Sequence, residues 1–129
     1  MAPAMPKLII RVELSETSAI GPGKIRLLEH IDETGSISAA GRAMNMSYRR
    51  AWLLVDDLNR HFKEPVTMAG SGGKGGGGAK LTSFGRTLVR QYRDIEAQAL
   101  AVSSRHLATL EAAMKSRPPR ASRRRSPTE

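Results

Sequence analysis

Apolar positions change period several times along the chain, and each period predicts a different element. In residues 7–14, KLIIRVEL, Leu8, Ile10, Val12 and Leu14 fall on alternate positions, the period of two expected of a half-buried strand. Gly21-Pro22-Gly23 breaks that pattern. Ile25, Leu28 and Ile31 then recur at helical spacing up to Thr34-Gly35, which predicts a first helix over about 22–33. Ser36 caps a short second helix, SISAAGRAM, with Ile37, Ala40, Gly41 and Met44 on its buried side. The small residues at 39–41 let another helix approach closely. Asn45-Met46-Ser47 reads as a tight connection: Asn tolerates the left-handed conformation, Met46 plugs the core and Ser47 caps the next helix. That third helix, about 47–62, has the clearest period, with Ala51, Leu54, Val55, Leu58 and Phe62 on one side. Arg49, Leu53, Asp56 and Arg60 fall opposite, Trp52 on the flank, and Asp56-Asp57 is expected to face outward.

Pro65 stops that helix. Residues 65–68 and 79–82 read as the strands of a hairpin whose tip, GSGGKGGGG, holds seven of the twelve glycines and one charge, Lys74. Thr82 or Ser83 caps a final helix over roughly 83–115, in which Leu88, Ile95 and Val102 lie seven apart and Phe84, Tyr92 and Ala99 fill neighbouring turns. Leu107, Leu110 and Met114 extend its apolar side. A helix of that length spans about 50 Å, more than a small domain covers, so a second copy of the same helix is expected against Leu88, Tyr92, Ile95, Ala99 and Val102. The pattern divides the chain into a disordered start (1–6), a compact domain (7–82), a dimerisation helix (83–115) and a disordered basic tail (116–129). The fold class is mainly α with a small β hairpin.

Composition narrows the chemistry. Apolar residues make up 40% of the 129 but aromatics only 4%, so the core is built from aliphatic and small side chains, which favours packed helices. There is no cysteine, which excludes disulfides, thiolate metal sites and cysteine nucleophiles. No apolar run reaches the roughly 18 residues of a membrane span, and the first residues lack the apolar stretch of a signal peptide. A cytoplasmic protein without cofactor or membrane partner is the expectation. The formal net charge is +9, and it is unevenly placed. Residues 34–93 hold ten basic and three acidic side chains, and residues 116–129 hold five and one. A block of positive charge on one region suits a polyanion, because neutralising adjacent phosphates releases condensed counterions.

The second helix, the short turn and the third helix, with an apolar inner face and basic residues at its start, form a helix-turn-helix. Tyr48, Arg49 and Arg50 occupy the leading turn of the third helix, where an Arg can fork onto the O6 and N7 of guanine. Ser36, Ser38 and Ser47 stand at helix starts, placed for phosphate oxygens. Trp52 and Leu53 complete the exposed side of that helix, and Lys74 and Lys80 belong to the hairpin, which reads as a wing along an adjacent groove.

The segments TGSISAAGRAMNMSYRRAW and GSGGKGGGGAKLTSFG resemble the N-terminal DNA-binding domain of the ModE-type, molybdate-responsive transcription regulators, over roughly residues 20–100. The resemblance implies a winged helix-turn-helix related to the LysR-type domain, with an N-terminal strand and a long C-terminal dimerisation helix. It matches Tyr48, Arg49, Arg50 and Trp52 to the family's recognition-helix motif and Lys74 to its wing lysine. It further implies a bacterial homodimer reading double-stranded DNA sequence-specifically to regulate transcription. Full-length members continue into molybdate-binding domains, whereas these residues end in a basic tail, which puts molybdate binding by this chain in doubt.

Other readings fare less well. A nonspecific architectural DNA-binding protein is the alternative; an RNA module lacks stacking aromatics. A phosphate-loop enzyme would need G-x-x-x-x-G-K-[ST], but Met68 stands where the first Gly belongs and Gly75 follows Lys74. His30, His61 and His106 stand apart from one another and from carboxylates at ligand spacing. No enzymatic activity is expected.

Overall fold

The computed structural model describes residues 6–70 and 78–115. Its elements run β1 (Val12–Glu13), β2 (Ala19–Ile20), α1 (Pro22–Thr34), α2 (Ile37–Ala43), α3 (Tyr48–His61), β3 (Thr67–Ala69), β4 (Ala79–Leu81) and α4 (Ser83–Ala113). Residues 1–5 and 116–129, expected to be disordered, lie outside the described residues.

Ile9–Glu96 forms one compact unit; a second holds the described residues 6–8 and 97–115. The first is a helical core carrying two antiparallel hairpins, β1–β2 and β3–β4. The sequence places α4 in a segment of its own from residue 83, but residues 83–96 pack within the first unit. Ile25, Leu27, Leu28, Ile31, Leu58 and Val66 are its most deeply buried large side chains.

Each helix boundary has a local cause. Pro22 occupies the first turn of α1, where its missing N–H costs nothing. Gly35 ends α1 at φ 74°, a left-handed conformation that favours glycine, and returns its N–H to the Ile31 carbonyl at 2.8 Å. The Ser36 hydroxyl accepts the Ala39 N–H at 2.9 Å and the Ser47 hydroxyl accepts the Arg50 N–H at 3.1 Å, capping α2 and α3. Between them Asn45 takes φ 58°, and Met46 packs partly buried against the core, both as the sequence predicts. The Thr82 hydroxyl accepts the Gly85 N–H at 2.8 Å, so Thr82 is the cap of α4.

The predicted N-terminal strand is corrected. Only Val12 and Glu13 pair, with Ile20 and Ala19, because the Ser15–Ser18 turn folds the chain straight back on itself. Ile10, Val12 and Leu14 do face the core, but the Ile10 carbonyl accepts the Tyr92 hydroxyl at 2.7 Å in place of a strand neighbour. Leu8 is exposed. The alternation marks the buried face correctly; what the chain lacks there is a partner strand, and β2 offers only two residues.

Candidate nucleic-acid interface

Packing of α2 on α3 sets the presentation of α3. A Cβ on Gly41 would stand 3.2 Å from Ala51 Cβ and 3.3 Å from the Met46 carbonyl, so the small residues at this crossing bring the two helices into close contact. With Ala51, Val55 and Leu58 buried, the opposite face of α3 is turned outward. Tyr48 is 55% exposed, Trp52 45% and Leu53 44%; Arg49 and Arg50 are exposed too. Neither arginine makes an ion pair with another described residue.

The β3–β4 hairpin stands beside this face. The Ala79 N–H donates to the Gly35 carbonyl at 2.9 Å, tying the hairpin to the α1–α2 junction. At its base the Thr82 hydroxyl donates to the Pro65 carbonyl at 2.7 Å, and the Thr82 N–H to the Val66 carbonyl at 3.0 Å. Helix and hairpin enclose an open depression of about 340 Å³ lined by Ser36, Ile37, Ser38, Tyr48, Trp52, Thr67, Met68, Ala69, Gly78 and Ala79. Among the described residues no carboxylate lines it. Lys80 is exposed and pairs across the hairpin with Met68, so both side chains leave the same face.

Of the residues singled out in the sequence, Ser36, Ser38, Tyr48 and Trp52 come together in this depression. Arg49 and Leu53 lie on the adjacent ridge of α3, one turn apart. Ser47 and Ser36 hold helix caps, and the Ser38 hydroxyl accepts Arg42 Nη1 at 3.1 Å. Lys74 lies outside the described residues. Sequence reading missed Ile37, Thr67, Met68 and Ala69 as lining groups. Exposed Arg42 it met only as part of a charge sum. A three-residue strand carries too few alternations to reveal its outward side, so no signal could have identified Thr67 to Ala69.

Two sequence expectations need correction here. Asp57 does not face outward: its carboxylate receives Lys24 Nζ at 2.8 Å and the hydroxyl of buried Ser18. Burial alone would raise the Asp57 carboxyl, but the hydrogen bonds from Lys24 and Ser18 and the positive charge of Lys24 outweigh it and hold the group below the usual carboxylate range. His61 is not isolated. Its Nδ1 lies 2.8 Å from the Asp57 carbonyl oxygen and 3.7 Å from Asp57 Oδ1, and its Nε2 lies 3.3 Å from Ser15 Oγ. Among the described residues no group of three or more His, Cys, Asp or Glu side chains could hold a metal ion, and no helix is long and apolar enough to cross a membrane.

The expected helix-to-helix seam divides. Leu88 and Tyr92 are buried inside their own unit, 8% and 2% exposed, so they serve the core of one chain. A seven-residue repeat cannot tell an intrachain core from a partner seam; only the extent of the compact unit does. Ile95 and Val102 are exposed and Ala99 is half-buried.

No family model matches the chain. Among curated proteins, the molybdenum-pterin-binding protein MopB of Rhodobacter capsulatus is 46% identical over 87 residues, 67% of this chain and 32% of that protein. The molybdenum transport protein ModE of Azotobacter vinelandii is 40% identical over 79 residues, 61% of this chain and 29% of that protein. The DNA-binding transcriptional dual regulator ModE of Escherichia coli K12 is 35% identical over 92 residues, 71% of this chain and 35% of that protein. The chain thus spans about one third of the length of the curated relatives it matches. Over the segment it shares with these proteins, 31–46% identical across about two thirds of this chain, the chain is similar to the ModE-type proteins.

Proposed function

We propose that this chain is a sequence-specific double-stranded DNA-binding transcription regulator that acts as a homodimer in the bacterial cytoplasm and has no catalytic role. The observation that carries the reading is the exposed face of α3. It offers Tyr48, Arg49, Arg50, Trp52 and Leu53 to solvent, with both arginines unpaired among the described residues, beside a hairpin carrying Lys80. α3 enters the major groove with its capped N-terminus leading, and the hairpin, with Lys74 at its tip in the sequence, runs along the neighbouring backbone. A two-fold dimer then reads a palindrome with half-sites about 34 Å or a multiple apart. Ile95, Ala99 and Val102 are the residues of the expected seam that remain for a partner copy.

Selection of bound sequences from random duplexes, with and without added molybdate, tests this. A single palindrome is expected. Recovery of the same palindrome at equal strength in both arms would exclude molybdate control by these residues. In titrations on that site, Arg49→Ala or Arg50→Ala weakens the selected sequence far more than random DNA, whereas Lys74→Ala weakens both alike. Equal losses for all three variants would remove the base-reading role from α3, and absence of any preferred sequence would favour an architectural binder.

A further inference from the structure

Three large apolar side chains, Tyr48, Trp52 and Leu53, stand roughly half exposed on one 14-residue helix. None is needed there for the core, which Ala51, Val55 and Leu58 fill from the other side. Trp52 and Tyr48, one turn apart, share the depression whose far wall includes Met68, itself 49% exposed. Leu53 stands on the next ridge with Arg49. The surrounding charge is positive: Arg42, Arg49, Arg50 and Lys80 are exposed. The nearest carboxylate along α3, Asp56, is engaged by Arg60 at 3.0 Å. An apolar face with exposed cations on the neighbouring elements, whose nearest carboxylate along α3 is paired, fits a partner that is polyanionic outside and apolar at isolated points inside.

The major groove of duplex DNA has one apolar feature, the C5 methyl group of thymine. We infer that Trp52 and Leu53 are specificity-determining residues that each pack on a thymine methyl, so that each half-site carries thymines in fixed register with the guanines read by Arg49 and Arg50. The inference rests on the proposed placement of α3 in the major groove and adds which bases its apolar side chains select. Trp52 and Leu53 lie at nearly the same height along α3 but about 100° apart around it, so they reach different base pairs across the groove. Tyr48 precedes Trp52 by one turn, about 6 Å or nearly two base steps, and its hydroxyl serves a phosphate or base edge.

The test deletes the methyl and nothing else. Deoxyuridine replaces thymidine one position at a time in the selected half-site, and affinity is read by fluorescence anisotropy at fixed salt. Burying one methyl corresponds to about a fourfold change in affinity, so wild-type protein loses about fourfold at two positions and is indifferent elsewhere. Leu53→Ala abolishes the difference between thymidine and deoxyuridine at one of these positions, and Trp52→Ala at the other. Both side chains are exposed, so thermal melting of the variants stays near wild type; the wild-type scan is decisive even where a variant fails to fold. A protein that still prefers its half-site but responds to no methyl deletion overturns the inference and leaves the regulator reading intact. So does an unchanged methyl response in both folded variants, which would free this face for a protein partner. A protein with no preference among duplexes overturns the regulator reading itself, and the methyl assignment with it.

Discussion

Lys24, in the first turn of α1, places its ammonium 2.8 Å from Asp57 Oδ2 on α3, and the hydroxyl of Ser18 reaches the same oxygen. Only 14% of the Lys24 side chain and 23% of the Asp57 side chain are exposed. The pair ties α3 to α1 by a polar contact, in addition to the core that Val55 and Leu58 help to fill. A helix proposed to read bases must hold its angle, and this shielded ion pair adds to the packing of α2 on α3 in holding it.

Stability should therefore fall in acid, and Asp57 should contribute to the fall. A carboxyl held lower in the folded chain than in the unfolded one adds stability that is complete above its ordinary value of about 4. That stability is lost as pH drops through the folded value. Glu29 acts in the same direction, lowered chiefly by its hydrogen bond to Arg93, against the opposing effect of burial. Asp57→Asn leaves Lys24 shielded without its counter-charge and should cost about 1–3 kcal/mol at pH 7. Urea midpoints measured from pH 7 to pH 3 should show the gap between wild type and variant closing as pH falls. A gap that stays constant would mean that the pair contributes no charge-dependent stability.

Two glycines on helices should respond oppositely to alanine. A Cβ on Gly85 would run into the carbonyl oxygen of Val66, a backbone atom that cannot turn aside, where α4 crosses the base of the hairpin. Gly85→Ala should lower stability by about 1–3 kcal/mol through overpacking. Gly23, in the first turn of α1, has nothing within 4 Å of such a Cβ. Gly23→Ala should raise stability by about 0.4–1 kcal/mol by reducing the freedom of the unfolded chain. Thermal melts of the two variants check both signs.

Much of this was legible in the sequence because the informative signals were local. Caps at Ser36 and Ser47, the left-handed Asn45, Pro65 as a helix stop and the period of α3 each depend on a few neighbouring residues. The outward face of α3, with Arg49 and Leu53, follows from that period alone. Long-range contacts were hidden. Nothing in the sequence joins Asp57 to Lys24 and Ser18, or Tyr92 to Ile10, 82 positions away. The same blindness gave Leu88 and Tyr92 to a partner helix, because periodicity reports that a side is apolar and is silent about what covers it.

Self-association should depend on the exposed positions of the seam and survive changes elsewhere. Val102 is 79% exposed, so Val102→Glu removes no contact from the core of the chain. In a coiled-coil-like seam it places a carboxylate opposite its own copy, and sedimentation equilibrium should show dissociation at least about tenfold easier. Glu111→Lys, on the same helix, offers a control for charge alone. Equal association of wild type and Val102→Glu would remove this position from the seam.

Salt dependence should separate the cations that read bases from those that hold the backbone. Each phosphate neutralised releases condensed counterions, so the slope of log affinity against log salt falls by about 0.9 for each phosphate left without its cation. Lys80 leaves the hairpin on the same face as Met68, beside the depression, and carries no ion pair with another described residue. Lys80→Ala should therefore flatten the slope by about 1 on selected and random duplexes alike. Arg49→Ala and Arg50→Ala should instead reduce the preference for the selected sequence by about 1–3 kcal/mol each, with the slope on random DNA less affected. Titrations at four salt concentrations on two duplexes yield both quantities for every variant. If Lys80→Ala leaves the slope untouched, the hairpin does not follow the phosphates; if the arginine variants change slope but not preference, α3 holds the backbone and does not read the bases.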